Sequence, residues 1–420
     1  MLSSLVAGFN DRMGEANGSS SVQHYIAIND LLVYGAVLTR PTGIQRVALN
    51  LALALHERYG YTSVRVLHFA ARHASIPRSD AHSLLATLAD PLLRLLSHAP
   101  RVVQERLRST ARGLLSRFTG GGGDAVVFQR GDWLLVLGAP WIAPGAAAAI
   151  VQVHEQTGVR IALLVHDLLP ATSPAWFTDA QGLTAKRDIE VLIGAAEKIF
   201  TVSREVGVEL SERYGRASAL LNPADPVITT ARSSPSSSER TIVSVGTLHP
   251  RKNLAALVRI WEAWAVEVEA TTGSFASLPT LVLVGRRHPQ DGELFSLLAT
   301  HRRAASKIRL IHTASDTELA ELYAASRFLV MPSLAEGWGL PVREALVAGR
   351  PSIVTDAVPA ASGLPYCEVV PAGDEAALGE AIRRWWSGGT PELLSERIRQ
   401  EFKPRTWESV AADVSSQLGS

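Results

Sequence analysis

Residues 331–345 read Met-Pro-Ser-Leu-Ala-Glu-Gly-Trp-Gly-Leu-Pro-Val-Arg-Glu-Ala, and the fold prediction starts from this stretch. An apolar strand, 328–331, runs into a Gly-x-Gly loop, and a helix follows with Pro341 in its first turn, where a missing N–H costs nothing. Glu336 lies in the loop and Glu344 in the helix, so both carboxylates are expected to face one crevice. Free amides at a helix start bind anions, and carboxylates beside them suit sugar hydroxyls. The stretch therefore predicts a crevice for a nucleotide sugar.

Apolar runs alternate with helical segments along the chain, which predicts an α/β fold with mainly parallel sheets. The chain is long for one core, and the Ser-rich segment 231–240 has the composition of a linker. We therefore predict two Rossmann-like, doubly wound α/β domains facing across a cleft, at residues 1–235 and 236–400. Residues 401–420 are predicted to form a helix that packs back toward the first domain. The predicted strands are 25–28, 64–69, 133–137, 161–165, 198–202, 241–245, 281–284, 308–311, 328–331 and 352–355.

Charge and cysteine content exclude several classes of protein. The chain has 41 basic and 40 acidic residues, which argues against a nucleic-acid binder that relies on bulk positive charge. The single cysteine, Cys367, excludes an internal disulfide, and no metal-binding spacing or phosphate-loop motif is present. Residues 1–21 lack a basic start followed by an apolar run, so no signal peptide is predicted and a cytoplasmic location is expected.

Two segments raise the question of membrane contact. Residues 91–118 carry six Arg against one Glu, which suits either a packed helix with a solvated Arg face or a helix lying on an anionic membrane. Residues 133–153 contain no charged side chain and are long enough to span a bilayer. Because Pro and Gly interrupt them, we instead predict a buried strand, a loop at 138–145 and a helix from Ala146.

Four further residues follow predicted strands, where ligands of parallel sheets bind. Arg251 and Lys252 lie between a strand and a helix start, and two such cations can neutralise a diphosphate, although surface cations are often only solvated. His166 ends an apolar strand and could be a site donor or a structural histidine. Gly43 precedes a helix and is either a ligand contact or a tight turn.

These motifs resemble those of the retaining GT-B glycosyltransferases of family 4, the glycosyl transferases group 1 proteins. The Glu-x7-Glu signature within 332–345 is the most specific match, and the segment 246–253 resembles the Arg-Lys-Asn segment of that family. The run His-Asp-Leu-Leu-Pro at 166–170 is similar to bacterial polysaccharide mannosyl- and rhamnosyltransferases. The resemblance covers residues 243–370 well and the first domain loosely.

The resemblance implies a role for each site residue. Glu336 would bind donor-sugar hydroxyls near the reacting carbon, Glu344 the ribose, and Arg251 with Lys252 the diphosphate. His166 would lie over the donor sugar from the first, acceptor-binding domain. The implied catalytic residues are His166, Arg251, Lys252 and Glu336, and the implied donor-binding residues are Gly43, Gly246, Thr247, Arg251, Lys252, Gly337, Trp338, Gly339, Leu340 and Glu344.

Two departures from the family pattern concern the loops around the donor. Many relatives carry Arg directly after the glycine that ends the first strand of the second domain, whereas this chain has Thr247 there. The acidic residue that often follows the last strand is also absent after Asp356, where 357–361 read Ala-Val-Pro-Ala-Ala. We therefore expect Arg251 to carry more of the diphosphate charge than in those relatives.

The implied activity is transfer of a hexose, with retention and without metal or cofactor, from a nucleotide-diphosphate sugar. GDP-mannose is the preferred donor, and the acceptor is a growing cell-surface polysaccharide such as O-antigen or a lipid-linked oligosaccharide. No nucleic-acid partner is expected, and peripheral contact with the inner membrane through 91–118 stays open. The alternatives are a GT-B-shaped sugar-nucleotide epimerase or hydrolase, or a non-catalytic binding subunit of a polysaccharide assembly.

Overall fold

The computed structural model of the protein describes residues 22–27, 29–30, 43–64, 128–143, 145–177, 180–226 and 241–419. Within these residues the chain forms two six-stranded sheets whose strand pairs are all parallel. The predicted α/β architecture with two doubly wound domains is confirmed. The basic segment 91–118, the predicted linker 231–240 and most of the predicted strand 64–69 lie outside the described residues.

The first sheet has the strand order β2-β1-β3-β4-β5-β6. Its inner strands are apolar on both faces, because a parallel sheet is covered by helices on both sides. Its strands are β1 (His24–Ala27), β2 (Thr62–Val64), β3 (Trp133–Val136), β4 (Arg160–Val165), β5 (Lys198–Thr201) and β6 (Ala219–Leu220). The accompanying helices are α1 (Gly43–Tyr59), α2 (Ala146–Thr157), α3 (Leu169–Thr172), α4 (Ala180–Ala195) and α5 (Arg204–Tyr214), with 3-10 turns at Pro140–Ile142 and Pro174–Trp176.

The uncharged segment 133–153 is a strand, a 3-10 turn and the start of a helix, as predicted. Strand β3 is buried along its length and lies inside the sheet between β1 and β4. Among the helices of the described residues, none is both long enough and apolar enough to cross a membrane.

The second sheet has the strand order β12-β11-β10-β7-β8-β9. Counted from its own first strand, this is the order 3-2-1-4-5-6 of dinucleotide-binding folds, with a switch point between β7 and β10. Its strands are β7 (Thr241–Val245), β8 (Thr280–Val284), β9 (Ile308–Ile311), β10 (Leu329–Met331), β11 (Ser352–Thr355) and β12 (Cys367–Val370). The helices that follow the first sheet are α6 (Leu254–Thr272), α7 (Gly292–Thr300), α8 (Arg302–Lys307), α9 (Asp316–Ala324), α10 (Leu340–Val347), α11 (Glu375–Ser387), α12 (Thr390–Glu401) and α13 (Trp407–Leu418), with 3-10 turns at Pro250–Lys252 and Pro359–Ala361.

Helix α6 illustrates how the apolar spacing becomes packing. The apolar residues at helical spacing are all buried against the second sheet, and Trp261 also donates from its indole N–H to the Pro279 carbonyl at 3.0 Å. Burial of each such large side chain contributes about 1.5–3 kcal/mol. The helix therefore fixes the loop that precedes it, which carries Arg251 and Lys252. The buried residues in this pattern are Leu254, Leu257, Val258, Trp261 and Trp264.

The C-terminal helix α13 packs on the first domain rather than the second. Its apolar side chains belong to the core around the first sheet, and the Trp133 indole donates to the Leu418 carbonyl at 3.2 Å. The chain therefore crosses between the domains twice, and the two crossings are paired. The backbone N–H of Asp225 donates to the Arg405 carbonyl at 3.0 Å, and the Arg405 N–H donates to the Asp225 carboxylate at 2.7 Å.

Candidate active site

A charged cluster lies at the switch point of the second sheet. Strands β7 and β10 are neighbours, so the loops that follow them meet, and the Leu334 N–H donates to the Arg251 carbonyl at 2.7 Å. Arg251 donates from Nη1 to Glu336 Oε2 at 2.9 Å, and Lys252 pairs with Glu336 Oε1. Ser333 Oγ donates to the same Oε1 at 2.7 Å. The structure thus brings together three of the residues that the sequence assigned to the donor site.

Burial and charge set the protonation states of this cluster. Burial alone would raise the pKa of Glu336, but the charges of Lys252 and Arg251 outweigh it and lower that pKa to about 2. Burial lowers the pKa of Lys252 to about 8, against the attraction of Glu336. At neutral pH the cluster therefore holds one carboxylate and two cations, which leaves a net positive charge beside the start of α10.

The loop between Glu336 and α10 contains two glycines, and each position favours glycine for a different structural reason. A Cβ on Gly337 would lie 1.9 Å from the His166 carbonyl oxygen of the first domain, so only glycine permits this approach. Gly339 has a φ of +109° and precedes Leu340, the first residue of α10. Trp338, between them, packs against the cores of both domains. The loop is consequently a contact between domains as well as a helix start.

Glu344 has a different set of partners from Glu336. The Tyr323 hydroxyl donates to Glu344 Oε2 at 2.6 Å, and Arg46 of the first domain donates from Nη1 to Glu344 Oε1 at 2.6 Å. The Glu344 side chain is only 5% exposed. Sequence reasoning found Glu344 but neither of these partners. Arg46 falls in the helix start that follows Gly43, whereas nothing in the sequence singles out Tyr323.

His166 is buried, and its imidazole makes a hydrogen bond within the first domain. Nε2 lies 2.7 Å from the Leu137 carbonyl at the end of β3, so this nitrogen carries the proton and donates it. Burial lowers the pKa of His166 to about 4, which keeps the ring neutral at pH 7. The next residue, Asp167, accepts from the Leu169 N–H at 3.2 Å, and burial raises its pKa despite the nearby Arg251 charge.

The remaining predicted residues line the same edges. Gly43 begins α1, and a Cβ there would lie 3.4 Å from Leu340 Cδ1 across the cleft. Gly246, with a φ of +152°, lies against the Lys252 side chain, and Thr247 accepts at its carbonyl from the His249 N–H at 2.7 Å. Gly246 therefore lies beside Lys252 of the charged cluster, whereas Gly43 lies against the start of α10.

His249 is a cross-cleft contact that sequence reasoning missed. Its Nδ1 accepts from the Arg251 N–H at 3.1 Å, which helps to fix the cationic loop. Its ring centroid lies 5.9 Å from that of Phe177 in the first domain and 4.3 Å from that of His288. Burial, followed by the charges of His288 and Arg251, lowers the pKa of His249 to about 4. A neutral ring can therefore lie against Phe177.

A second ion pair ties α10 to the crossing between domains. Arg343 donates from Nε and Nη2 to the two carboxylate oxygens of Asp225 at 2.6 and 2.8 Å. The Asp225 side chain has no exposed area, so this bidentate pair is buried. Across the described part of the chain, no group of three or more His, Cys, Asp and Glu side chains is placed to hold a metal ion.

The residues of this site lie in a segment that is similar to a known protein family. Residues 239–387 match the model of the family described as glycosyl transferases group 1. The match includes both loops of the charged cluster, Arg251 with Lys252 and Glu336, and also Glu344. The second domain is thus the part of the chain that carries the family pattern.

Curated relatives match parts of the chain. O-antigen chain mannosyltransferase B of Escherichia coli is 29% identical over 167 residues, which are 40% of this chain and 38% of that protein. The serotype-specific mannosyltransferase WbdA of Escherichia coli is 25% identical over 268 residues, which are 58% of this chain and 32% of that protein. The chain therefore spans well under half the length of these two relatives.

Solved structures match a larger share of the chain. HepE from Anabaena, in complex with UDP and glucose, aligns with 95% of this chain and 100% of its own at a TM-score of 0.57 and 12% identity. Sucrose-phosphate synthase from Thermosynechococcus elongatus aligns with 84% of this chain and 82% of its own at a TM-score of 0.51 and 17% identity. The protein therefore has the two-domain GT-B fold, and its residues 239–387 match the model of the glycosyl transferases group 1 family.

Proposed function

We propose that the protein is a retaining, metal-independent glycosyltransferase that moves a hexose from a nucleotide-diphosphate sugar to a glycan acceptor. The observation that carries the proposal is the cluster of Glu336 with Arg251 and Lys252 at the switch point between β7 and β10. Ligands of doubly wound sheets bind at such points. Here that position offers cations for a diphosphate and a carboxylate for sugar hydroxyls.

Donor binding follows from an exchange of partners within the cluster. Arg251 and Lys252 both pair with the Glu336 carboxylate, so the two cations already point at one place. A diphosphate would take over part of that pairing, together with the free amides at the start of α10. Glu336, released from part of its charge pairing, would accept hydrogen bonds from the donor sugar, and Glu344 from the ribose.

The chemical step is a front-face displacement with retention. The bond from the sugar to the phosphate breaks to an oxocarbenium-like state, and the acceptor hydroxyl attacks the same face of the sugar. Arg251, Lys252 and the α10 amides stabilise the charge on the leaving diphosphate, one of whose oxygens takes the acceptor's proton. Glu336, with a pKa of about 2, stays ionised and binds rather than donates a proton. His166 is neutral, and its Nδ1 can accept a hydrogen bond over the donor sugar.

The sugar and the acceptor are proposed from the named relatives. Two of the matched relatives are mannosyltransferases, one of them of the O-antigen chain, which favours GDP-mannose as donor and a growing cell-surface polysaccharide or lipid-linked oligosaccharide as acceptor. A cytoplasmic location is part of the proposal. Peripheral contact with the inner membrane through 91–118 is the open alternative for that segment, which lies outside the described residues.

Product analysis tests the proposal directly. The purified protein is incubated with GDP-mannose, UDP-sugars or dTDP-rhamnose, with and without a mannan oligosaccharide acceptor, and the sugar products are identified with their anomeric configuration. We expect an acceptor-linked sugar of the donor's own configuration, from GDP-mannose above the others, and unchanged turnover after EDTA treatment. Free sugar would indicate a hydrolase, an altered sugar an epimerase, and tight nucleotide binding without turnover of any donor a binding subunit.

A further inference from the structure

The carboxylate of Glu344 is shared between the two domains. Its Oε2 accepts from the Tyr323 hydroxyl at 2.6 Å, and its Oε1 accepts from Arg46 Nη1 at 2.6 Å. The Glu344 side chain is 5% exposed, so almost none of the carboxylate is open to a ligand in this structure. Arg46 therefore occupies a hydrogen-bonding position on Oε1 that a ribose hydroxyl would also use.

The two partners of Glu344 differ in how they are held. Tyr323 lies in α9, is 1% exposed and belongs to the same hydrophobic cluster as the inner face of α10. It therefore stays beside Glu344 however the domains move. Arg46 lies in α1 of the first domain, and its side chain is 30% exposed. Opening of the cleft would separate Arg46 from Glu344 and leave the Tyr323 hydrogen bond intact.

The neighbouring contacts make the Arg46 pair part of the closed arrangement. One turn before Arg46, Gly43 approaches Leu340 at the start of α10, and beyond it Gly337 meets the His166 carbonyl. Of these contacts, only the Arg46 pair uses a side chain that the proposed donor also needs. The guanidinium is charged at every relevant pH, because the charge of Glu344 raises its pKa further.

We propose that Arg46 and the ribose hydroxyls of the donor compete for Oε1 of Glu344. Arg46 is then a latch between the two domains that is released when the nucleotide binds. Tyr323 is a positioning residue, which fixes Oε2 and so leaves Oε1 as the oxygen that the two competitors share. The inference rests on the proposed function, in which Glu344 binds the ribose.

Competition predicts that removal of Arg46 increases the affinity of the protein for the nucleotide. A ligand that binds only the unlatched state has its apparent Kd multiplied by the inverse of that state's population. A partly exposed ion pair between domains would shift this population modestly, so removal of the latch should tighten nucleotide binding about three- to tenfold. A residue that merely supports the fold, or that binds the donor itself, would weaken binding when it is removed.

Calorimetric titration of Arg46→Ala and Arg46→Met tests the latch. The probe is whichever of GDP, UDP and dTDP binds the wild type most tightly, together with its 2′,3′-dideoxy analogue. We expect about three- to tenfold tighter binding of the natural nucleotide to both variants and no gain with the dideoxy analogue, which has nothing to offer Oε1. Small-angle scattering should show a larger radius of gyration for the nucleotide-free variants than for the wild type.

Tyr323→Phe is the matched control for the Arg46 variants, because it removes the hydrogen-bond donor to Oε2, the other carboxylate oxygen of Glu344. Loss of the hydroxyl leaves Glu344 less well oriented, so nucleotide binding should weaken by about tenfold, the opposite direction from the Arg46 variants. Unchanged or weaker binding in the folded Arg46 variants would overturn the latch. If the wild type binds none of the three nucleotides, the proposed function fails instead, and the two outcomes are therefore distinct.

Discussion

The charged cluster of the second domain and the His166 turn of the first lie at carboxyl edges of two parallel sheets, yet they are built differently. In the second domain, Glu336 pairs with Arg251 and Lys252, and all three charges belong to loops of one sheet. In the first domain, His166 is neutral and donates to the Leu137 carbonyl, and the atom that meets the other domain is its backbone oxygen.

This difference indicates a division of labour between the domains. A cluster of charges can respond to a ligand by exchanging partners, which a buried, neutral ring cannot do. The second domain therefore supplies the electrostatics of the proposed reaction, and the first supplies a surface that closes over it. Substitutions that remove a charge can be compared with substitutions that change only the shape of the contact between the domains. This comparison tests the division of labour.

The largest effect is expected from removal of a charge in the cluster. Arg251→Ala should lower kcat/KM by about 10²–10³-fold, because a stabilising charge on the leaving diphosphate is lost. Arg309→Ala is the matched control, since Arg309 is an exposed arginine on β9 of the same sheet. Steady-state kinetics with a turned-over donor, alongside thermal melting, measure both. Near-normal turnover in Arg251→Ala would place the electrostatics elsewhere.

A smaller effect is expected from a change of shape at Gly337. A methyl group there would lie 1.9 Å from the His166 oxygen, and the domains can relieve this clash by moving apart. We expect Gly337→Ala to lower kcat by about tenfold to a hundredfold with little change in melting temperature, because the closed geometry is lost.

Gly285→Ala is the matched control for Gly337→Ala. Its new Cβ would lie 1.8 Å from the Gly246 carbonyl oxygen, a clash that lies inside one domain and cannot be relieved by domain motion. This variant should lose about 1–3 kcal/mol of stability, measured by denaturant unfolding. A Gly337→Ala protein that is equally destabilised would contradict the assignment of that contact to closure.

The pH dependence of kcat/KM distinguishes the contribution of Lys252 from that of Arg251 and Glu336. Burial lowers the pKa of Lys252 to about 8, so the free enzyme loses this cation as pH rises through that value. Between about pH 8 and 10.5 the unfolded state binds more protons than the folded state, so this group does not destabilise the protein as activity falls. We expect kcat/KM to fall about fivefold between pH 8 and 9, with kcat less affected because the bound diphosphate keeps the lysine charged.

Lys252→Arg provides the control for this pH profile. A guanidinium does not deprotonate in this range, so the decline in kcat/KM should move to higher pH. Initial rates at subsaturating and saturating donor, measured from pH 6 to pH 9.5, give both profiles. An unchanged decline in Lys252→Arg would assign the titration to another group.

The fold and the polar cluster could be predicted because their signals are local in sequence. The run 331–345 combines a strand, a glycine loop and a helix start, and its two carboxylates stand at a fixed spacing. Arg251 and Lys252 follow the neighbouring strand of the same sheet, so the order of parallel strands alone brings them to Glu336.

Contacts between domains could not be predicted in the same way. Arg46 meets Glu344 across 298 positions of sequence, and Phe177 meets His249 only because the two domains are closed on each other. The sequence also left His166 open between a site donor and a structural histidine. That choice depends on the Leu137 carbonyl, whose position is set by the pairing of β3 with β4.

The smallest expected effect concerns His166 and tests whether the first domain contributes shape. The folded-state pKa of about 4 lies below the usual 6.5, so between these values the unfolded state takes up a proton that the folded state refuses. Stability from this group is present above pH 6.5 and is lost as pH falls toward 4. In His166→Gln, whose amide still donates to the Leu137 carbonyl, the loss of unfolding free energy between pH 7.5 and 5.5 should be about 1 kcal/mol smaller than in the wild type.

The measurement compares urea unfolding curves of the two proteins at these two pH values. His249 has a similar pKa in both proteins, so its contribution to the pH dependence cancels in the comparison. An equal loss of stability in the two proteins would contradict the lowered pKa of His166, and a turnover loss as large as that of Arg251→Ala would show that the imidazole itself acts on the substrate.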